Sequence, residues 1–170
     1  MDLATTIQHH RAFFHTGATR PLEFRADQLR RLATTLERHE SPLLDALQAD
    51  LGKSPFQGYS SELGVVQTEI RHAIRHLRKW AAPARCRAPW LVAPAHGSLN
   101  SEPFGVALIL GPWNYPVQLA LTPLVSAIAA GNCAVLKPSE LATHTTEAVA
   151  SVVRECFAEE YVSVACGGAE

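Results

Sequence analysis

The sequence has no surplus of positive charge: its 15 lysines and arginines face 16 acids. Nor does it carry a basic stripe interleaved with aromatics, so the electrostatic footprint of a nucleic-acid binder is missing and no nucleic-acid partner is expected. Long apolar runs are lacking too. The longest, around 117–130, is interrupted by Gln118, Thr122, Pro123 and Ser126 and falls short of the roughly 20 residues that span a bilayer. Met1 through Arg25 mix histidine, threonine and charge with no apolar stretch of signal-peptide type, which points to the cytoplasm. The four cysteines, Cys86, Cys133, Cys156 and Cys166, show no CxxC spacing and no paired histidines nearby. This speaks against a zinc site and against a disulfide framework, so the thiols are read as reduced and no metal is expected. Neither GxGxxG nor a P-loop occurs, so the usual glycine signals for phosphate are absent. There is no internal repeat and no low-complexity segment.

What is present describes a folded chain. Hydrophobic residues make up 47% and charged residues 18% of 170 positions, enough for one compact unit with a core of its own. Leu29, Leu32, Ala33 and Leu36 recur at three and four residues, predicting an amphipathic helix from Asp27 onward. Ser41 and Pro42 form an N-cap and first-turn pair for a second helix through Leu43, Leu44 and Leu47, closed by Gly52. A turn-rich break at Ser54 to Ser60 follows. Val66, Ile70, Ala73, Ile74 and Leu77 then predict the longest helix, with Arg71, His72, Arg75 and His76 on its solvated face. Four prolines between Pro83 and Pro103 rule out a helix there and predict an extended arm or irregular hairpin, with Trp90–Val92 as a short strand.

The last third changes character. Val106–Leu110 is an apolar run of strand length, then comes a helical stretch stopped by Gly131 and Asn132, then a second apolar run, Cys133–Leu136. Val149, Val152, Val153, Cys156 and Phe157 predict a second crossover helix before a third strand at Val162–Ala165. The fold class is therefore α/β: N-terminal helices over residues 1–82, an extended arm over 83–103, and over 104–170 a Rossmann-like parallel βαβαβ sheet that breaks off after its third strand.

Ligands of open α/β sheets sit beyond the carboxyl ends of the strands, so the loops after Leu110 and Leu136 are where chemistry is sought. The first, Gly111-Pro112-Trp113-Asn114-Tyr115-Pro116, holds a side-chain amide between two prolines. Such an amide can stabilise a developing oxyanion; alternatively Asn114 caps the next helix, with Pro116 in its first turn. In the second loop, Lys137 and Glu140 are either a cation and a carboxylate for a nucleotide ribose or an exposed pair on a turn. Cys133 opens a buried strand and Cys156 lies on an apolar helix face, so both are read as packing residues; Cys86 matches no catalytic motif, and Cys166 is a strand-end thiol.

The segment GPWNYPVQLALTPLVSAIAAGNCAVLKPSE, Gly111 to Glu140, resembles the aldehyde dehydrogenase superfamily, and the stretches Ala46 to Val66 and Glu102 to Pro116 resemble its class 3 branch. The resemblance runs from about Arg25 to Gly168. It implies an N-terminal part of an NAD- or NADP-dependent enzyme that oxidises aldehydes to carboxylic acids through a cysteine thioester, a homodimer when complete. It further implies Asn114 as the oxyanion-hole amide, Trp113, Lys137 and Glu140 as cofactor-binding residues, and Tyr115 and Leu119 as lining of the aldehyde pocket. The family's nucleophilic cysteine and base glutamate map to no residue here, so the chain alone is expected to be inactive; a membrane tail in the complete protein is left open. The competing reading is a non-catalytic module of the same descent that binds or oligomerises with relatives.

Overall fold

The computed structural model describes residues 3–168. Its N-terminal part contains five α-helices: α1 (Leu3–His15), α2 (Leu22–Arg38), α3 (Glu40–Leu51), α4 (Pro55–Gly58) and α5 (Gly64–Trp80). A two-stranded antiparallel hairpin follows, β1 (Ala84–Cys86) against β2 (Gly97–Leu99). The chain ends in the alternation β3 (Val106–Leu110), α6 (Gln118–Ala130), β4 (Cys133–Lys137), α7 (Thr143–Cys156) and β5 (Val162–Val164). The three strands are parallel in the order β3-β4-β5, with Leu110 level with Lys137. The α/β class and the βαβαβ order expected from the sequence are both present.

The periodic residues face where the spacing sends them. Leu29, Leu32 and Leu36 of α2, and Val66, Ile70 and Leu77 of α5, are buried, each contributing roughly 1.5–3 kcal/mol relative to exposure. Helices α2, α3 and α5 pack on the outside of α6 and α7, which cover one face of the parallel sheet. The other face receives α1, whose buried His10 contacts the Ala134 carbonyl oxygen through Nε2 at 3.1 Å and the Ser163 hydroxyl at 3.2 Å. One hydrophobic cluster joins Leu36 and Leu47 of the helical layer to Leu124, Ile128, Val149 and Val153 of the crossover helices.

Several sequence expectations are corrected. The break at Ser54 to Ser60 is helical: Ser54 and Gln57 form a reciprocal capping box opening α4, and a π-helical turn, Tyr59–Leu63, carries the chain into α5. Trp90–Val92 is a 3₁₀ turn at the tip of the hairpin, since the pairing partners lie on either side of it. Helix α3 begins one residue before Ser41, with His39 in the cap position. Helix α5, expected to be the longest, shares its 17-residue length with α2. Helix α1 was absent from the periodicity reading because its buried positions are polar, Thr6 and His10. On α5, His72, His76 and Trp80 stack as an exposed ladder, with ring centroids 4.2 and 5.7 Å apart. Among the described residues no group of three or more side chains is placed to hold a metal, and no helix is long and apolar enough to cross a membrane.

Candidate functional site

The carboxyl ends of β3 and β4 lie side by side because the strands are parallel and in register. The loops leaving them meet at Gly111, whose amide donates to the Lys137 carbonyl at 2.9 Å. A Cβ on Gly111 would lie 3.1 Å from that of Ala120 and 3.6 Å from Pro138 Cα. Any larger residue here would press on Ala120 of α6, so glycine gives the first loop its close passage beside α6 and the second loop.

Asn114 is exposed, and among the described residues its side-chain amide has no hydrogen-bond partner. The helix-cap alternative does not hold. Helix α6 starts at Gln118 with Val117 in the cap position, so Pro116 precedes the helix instead of occupying its first turn. The free amides are taken by a residue distant in sequence: Glu62 Oε2 accepts from Val117 N at 2.8 Å and Gln118 N at 3.2 Å. Glu62 is fully buried, and its other oxygen accepts from the Lys53 ammonium. Lys53 also donates to the Asn114 carbonyl at 3.2 Å and stands 4.1 Å from the centre of the Tyr115 ring, a cation–π contact. The loop is thus held by its backbone and by Tyr115, leaving the Asn114 amide free.

Tyr115 and Trp113 are exposed on the same loop, and Leu119 is half-buried on the first turn of α6. At the end of β4, Lys137 Nζ donates to Glu140 Oε2 at 2.5 Å and to the Pro138 carbonyl at 3.3 Å. The hydrogen bond from the Lys137 ammonium holds the Glu140 carboxyl below the usual carboxylate range. Both side chains stay open to solvent, at 27% and 46% exposure, so the pair can exchange its mutual contact for a ligand. A carboxylate that accepts and an ammonium that donates, reaching the same point beyond a parallel strand, fit the vicinal hydroxyls of a ribose. The six residues singled out from the sequence therefore lie at the end of β4, on the two adjoining loops and on the first turn of α6.

Two of the thiols are removed from chemistry by burial. Desolvation pushes Cys133 up to about 12 and Cys156 up to about 11, so both stay protonated at neutral pH. Cys86 and Cys166 are exposed, one on the hairpin and one past β5.

Sequence reasoning missed the residues that fasten these loops. Besides Lys53 and Glu62 they include Asp50, whose carboxylate accepts from Thr145 N at 2.7 Å and His144 N at 3.3 Å and so caps α7. Arg25 does the same for the other end of α6, donating to the Ala129 carbonyl at 3.2 Å beside Gly131. A positive charge at a helix C-terminus and a negative charge at its N-terminus both oppose the helix dipole. The Ser54/Gln57 spacing was the one readable signal near Lys53 and Glu62.

A family model described as the aldehyde dehydrogenase family matches residues 1–170. The chain is 42% identical over 166 residues to human aldehyde dehydrogenase family 3 member B1, covering 98% of this chain and 36% of that protein. It is 38% identical over 166 residues to the dimeric NADP-preferring aldehyde dehydrogenase of Canis lupus familiaris, covering 98% of this chain and 37% of that protein. Its structure superposes on a substrate-bound state of Staphylococcus aureus AldH with a TM-score of 0.96 at 35% identity, covering 99% of this chain and 37% of that one. The chain thus spans little more than a third of the length of these relatives.

Proposed function

The chain belongs to the aldehyde dehydrogenase family, matching the N-terminal portion of its members, and from that premise we propose that it supplies the oxyanion amide and the ribose-binding loop of an NAD(P)-dependent aldehyde oxidation. The observation that carries the reading is the free, exposed Asn114 amide on a loop that two side chains from outside it, Lys53 and Glu62, hold in place. A donor of this kind, fixed before the reaction and aimed at a carbonyl oxygen, stabilises the charge that develops when a thiolate adds to an aldehyde. Tyr115 and Leu119 flank that position and line the approach of the aldehyde.

Lys137, Glu140 and Trp113 would hold the nicotinamide cofactor; when bound, that group accepts the hydride lost by the substrate. Glu140 accepts ribose hydroxyls, and Lys137 orients Glu140 when the pocket is empty. Lys137 attracts a 2′-phosphate and Glu140 repels one, so their balance sets the choice between NAD and NADP. The attacking thiolate is assigned to none of the four cysteines: Cys133 and Cys156 are buried thiols, Cys86 lies on the hairpin, and Cys166, exposed just past β5, has no base mapped to it. The 170-residue chain is accordingly expected to show no aldehyde oxidation alone. A cytoplasmic homodimer completes the reading, in keeping with the canine relative's description as dimeric.

The test is steady-state kinetics on a full-length family enzyme carrying this segment. Asn114→Ala should lower kcat by on the order of 100-fold with little change in cofactor KM. An unchanged kcat would withdraw the oxyanion assignment, since no capping role remains for that side chain.

A further inference from the structure

We propose that Lys53 and Glu62 are a positioning pair that presets the Asn114–Gln118 turn for catalysis, an inference that rests on the oxyanion reading above. Glu62 is fully buried, yet its carboxylate is satisfied by the Lys53 ammonium on one oxygen and by two main-chain amides, Val117 and Gln118, on the other. Burying a carboxylate is costly, and a serine or aspartate at the cap position would satisfy a helix start with a local side chain. Here the cap comes instead from a π-helical turn, Tyr59–Leu63, more than 50 residues upstream, and such turns are frequent where function demands an irregular side-chain placement.

The second half of the argument is Lys53. Its ammonium bridges Glu62 to the Asn114 carbonyl at 3.2 Å and lies 4.1 Å from the centre of the Tyr115 ring. Positions 114, 115, 117 and 118 are therefore all touched by the pair, through backbone or ring, while the Asn114 amide is left free. Fixing the main chain on both sides of a side chain narrows where that side chain can point. For a donor aimed at a developing charge this matters strongly, since a misplacement of about 1 Å can lower the rate roughly 100-fold.

The experiment uses the full-length family enzyme carrying this segment, with Lys53→Met, Lys53→Arg, Glu62→Gln, Asn114→Ala and the double variant Lys53→Met/Asn114→Ala. Lys53→Met should lower kcat by about 10-fold while cofactor KM stays put, and should speed amide hydrogen exchange over residues 113–118. Lys53→Arg should recover most of both. On the Asn114→Ala background Lys53→Met should cost little further kcat, because the group being positioned is gone. Glu62→Gln should behave like Lys53→Met; if it fails to fold, the partly exposed Lys53 still decides the question. Normal kcat and normal exchange in Lys53→Met, with kcat lost in Asn114→Ala, would overturn the positioning role and leave the oxyanion reading standing. A fully active Asn114→Ala would instead withdraw the oxyanion reading, and with it the positioning role, whatever Lys53→Met does to the turn.

Discussion

Lys137 and Glu140 were legible as a pair because they follow a strand end directly, where open sheets bind ligands, and the structure adds that they contact each other at 2.5 Å. They sit on a different loop from Asn114 and should fail differently when removed. Glu140→Ala in the full-length enzyme is expected to raise KM for the cofactor several-fold with kcat nearly unchanged, because it touches no reacting atom. Lys137→Ala should do the same, with the larger penalty for NADP, whose 2′-phosphate the lost cation would pair with. Parallel titrations with the two cofactors check this, and an equal loss with both would remove Lys137 from phosphate discrimination. Asn114 stood out for a related reason: a proline on either side of an amide restricts the backbone around it. Glu62 was not, because its partners are main-chain amides 55 and 56 residues away, and a backbone donor leaves no mark on the sequence.

At the level of elements, helices α2, α5 and α7 could be read from apolar spacing, since each buries a periodic set of side chains, and β3 and β4 from their continuous apolar runs. The segment 54–63 could not: serine, proline and glycine look like a turn, and a π-helical register depends on where Glu62 must point. Helix termini were the other blind spot. Asp50 at the end of α3 caps α7, with only 5% of its side chain exposed. Burial alone would raise its pKa, but the hydrogen bonds from Thr145 and His144 outweigh that and leave it below the ordinary carboxylate value. A folded-state pKa lower than the unfolded one adds stability that is present above the unfolded value and disappears as pH falls through the folded one. Asp50→Ala is therefore expected to cost about 1–2 kcal/mol at neutral pH and to flatten the acid side of the stability profile below roughly pH 4. Chemical denaturation at a series of pH values measures both, and a wild-type-like slope in the variant would show that Asp50 carries no such linkage.

For the whole molecule, the sequence predicts one compact unit made of a helical segment 1–82, an arm 83–103 and a sheet segment 104–170, and one hydrophobic cluster draws on the first and the last of these. The cluster that includes Leu29, Leu32 and Leu36 of α2 also includes Leu121, Leu124 and Ile128 of α6 and Val149 and Val153 of α7. Three charged side chains of the helical layer add polar fastenings: Arg25 at the end of α6, Glu62 at its start and Asp50 at the start of α7. With the crossover helices packed on both sides, the helical layer cannot leave without exposing the apolar faces of α6 and α7 to water. The unfolding of α2 and of β4 should accordingly be one event. Leu36→Ala tests this, because it creates a cavity in α2, far in sequence from any strand, at an expected cost of about 2–5 kcal/mol. Native-state hydrogen exchange should show the slowest β4 amides, Ala134 to Leu136, losing as much protection as those of α2. If β4 kept its protection while α2 lost its own, the helical layer would be a separately melting unit, and the two segments would be independent domains that share only a surface.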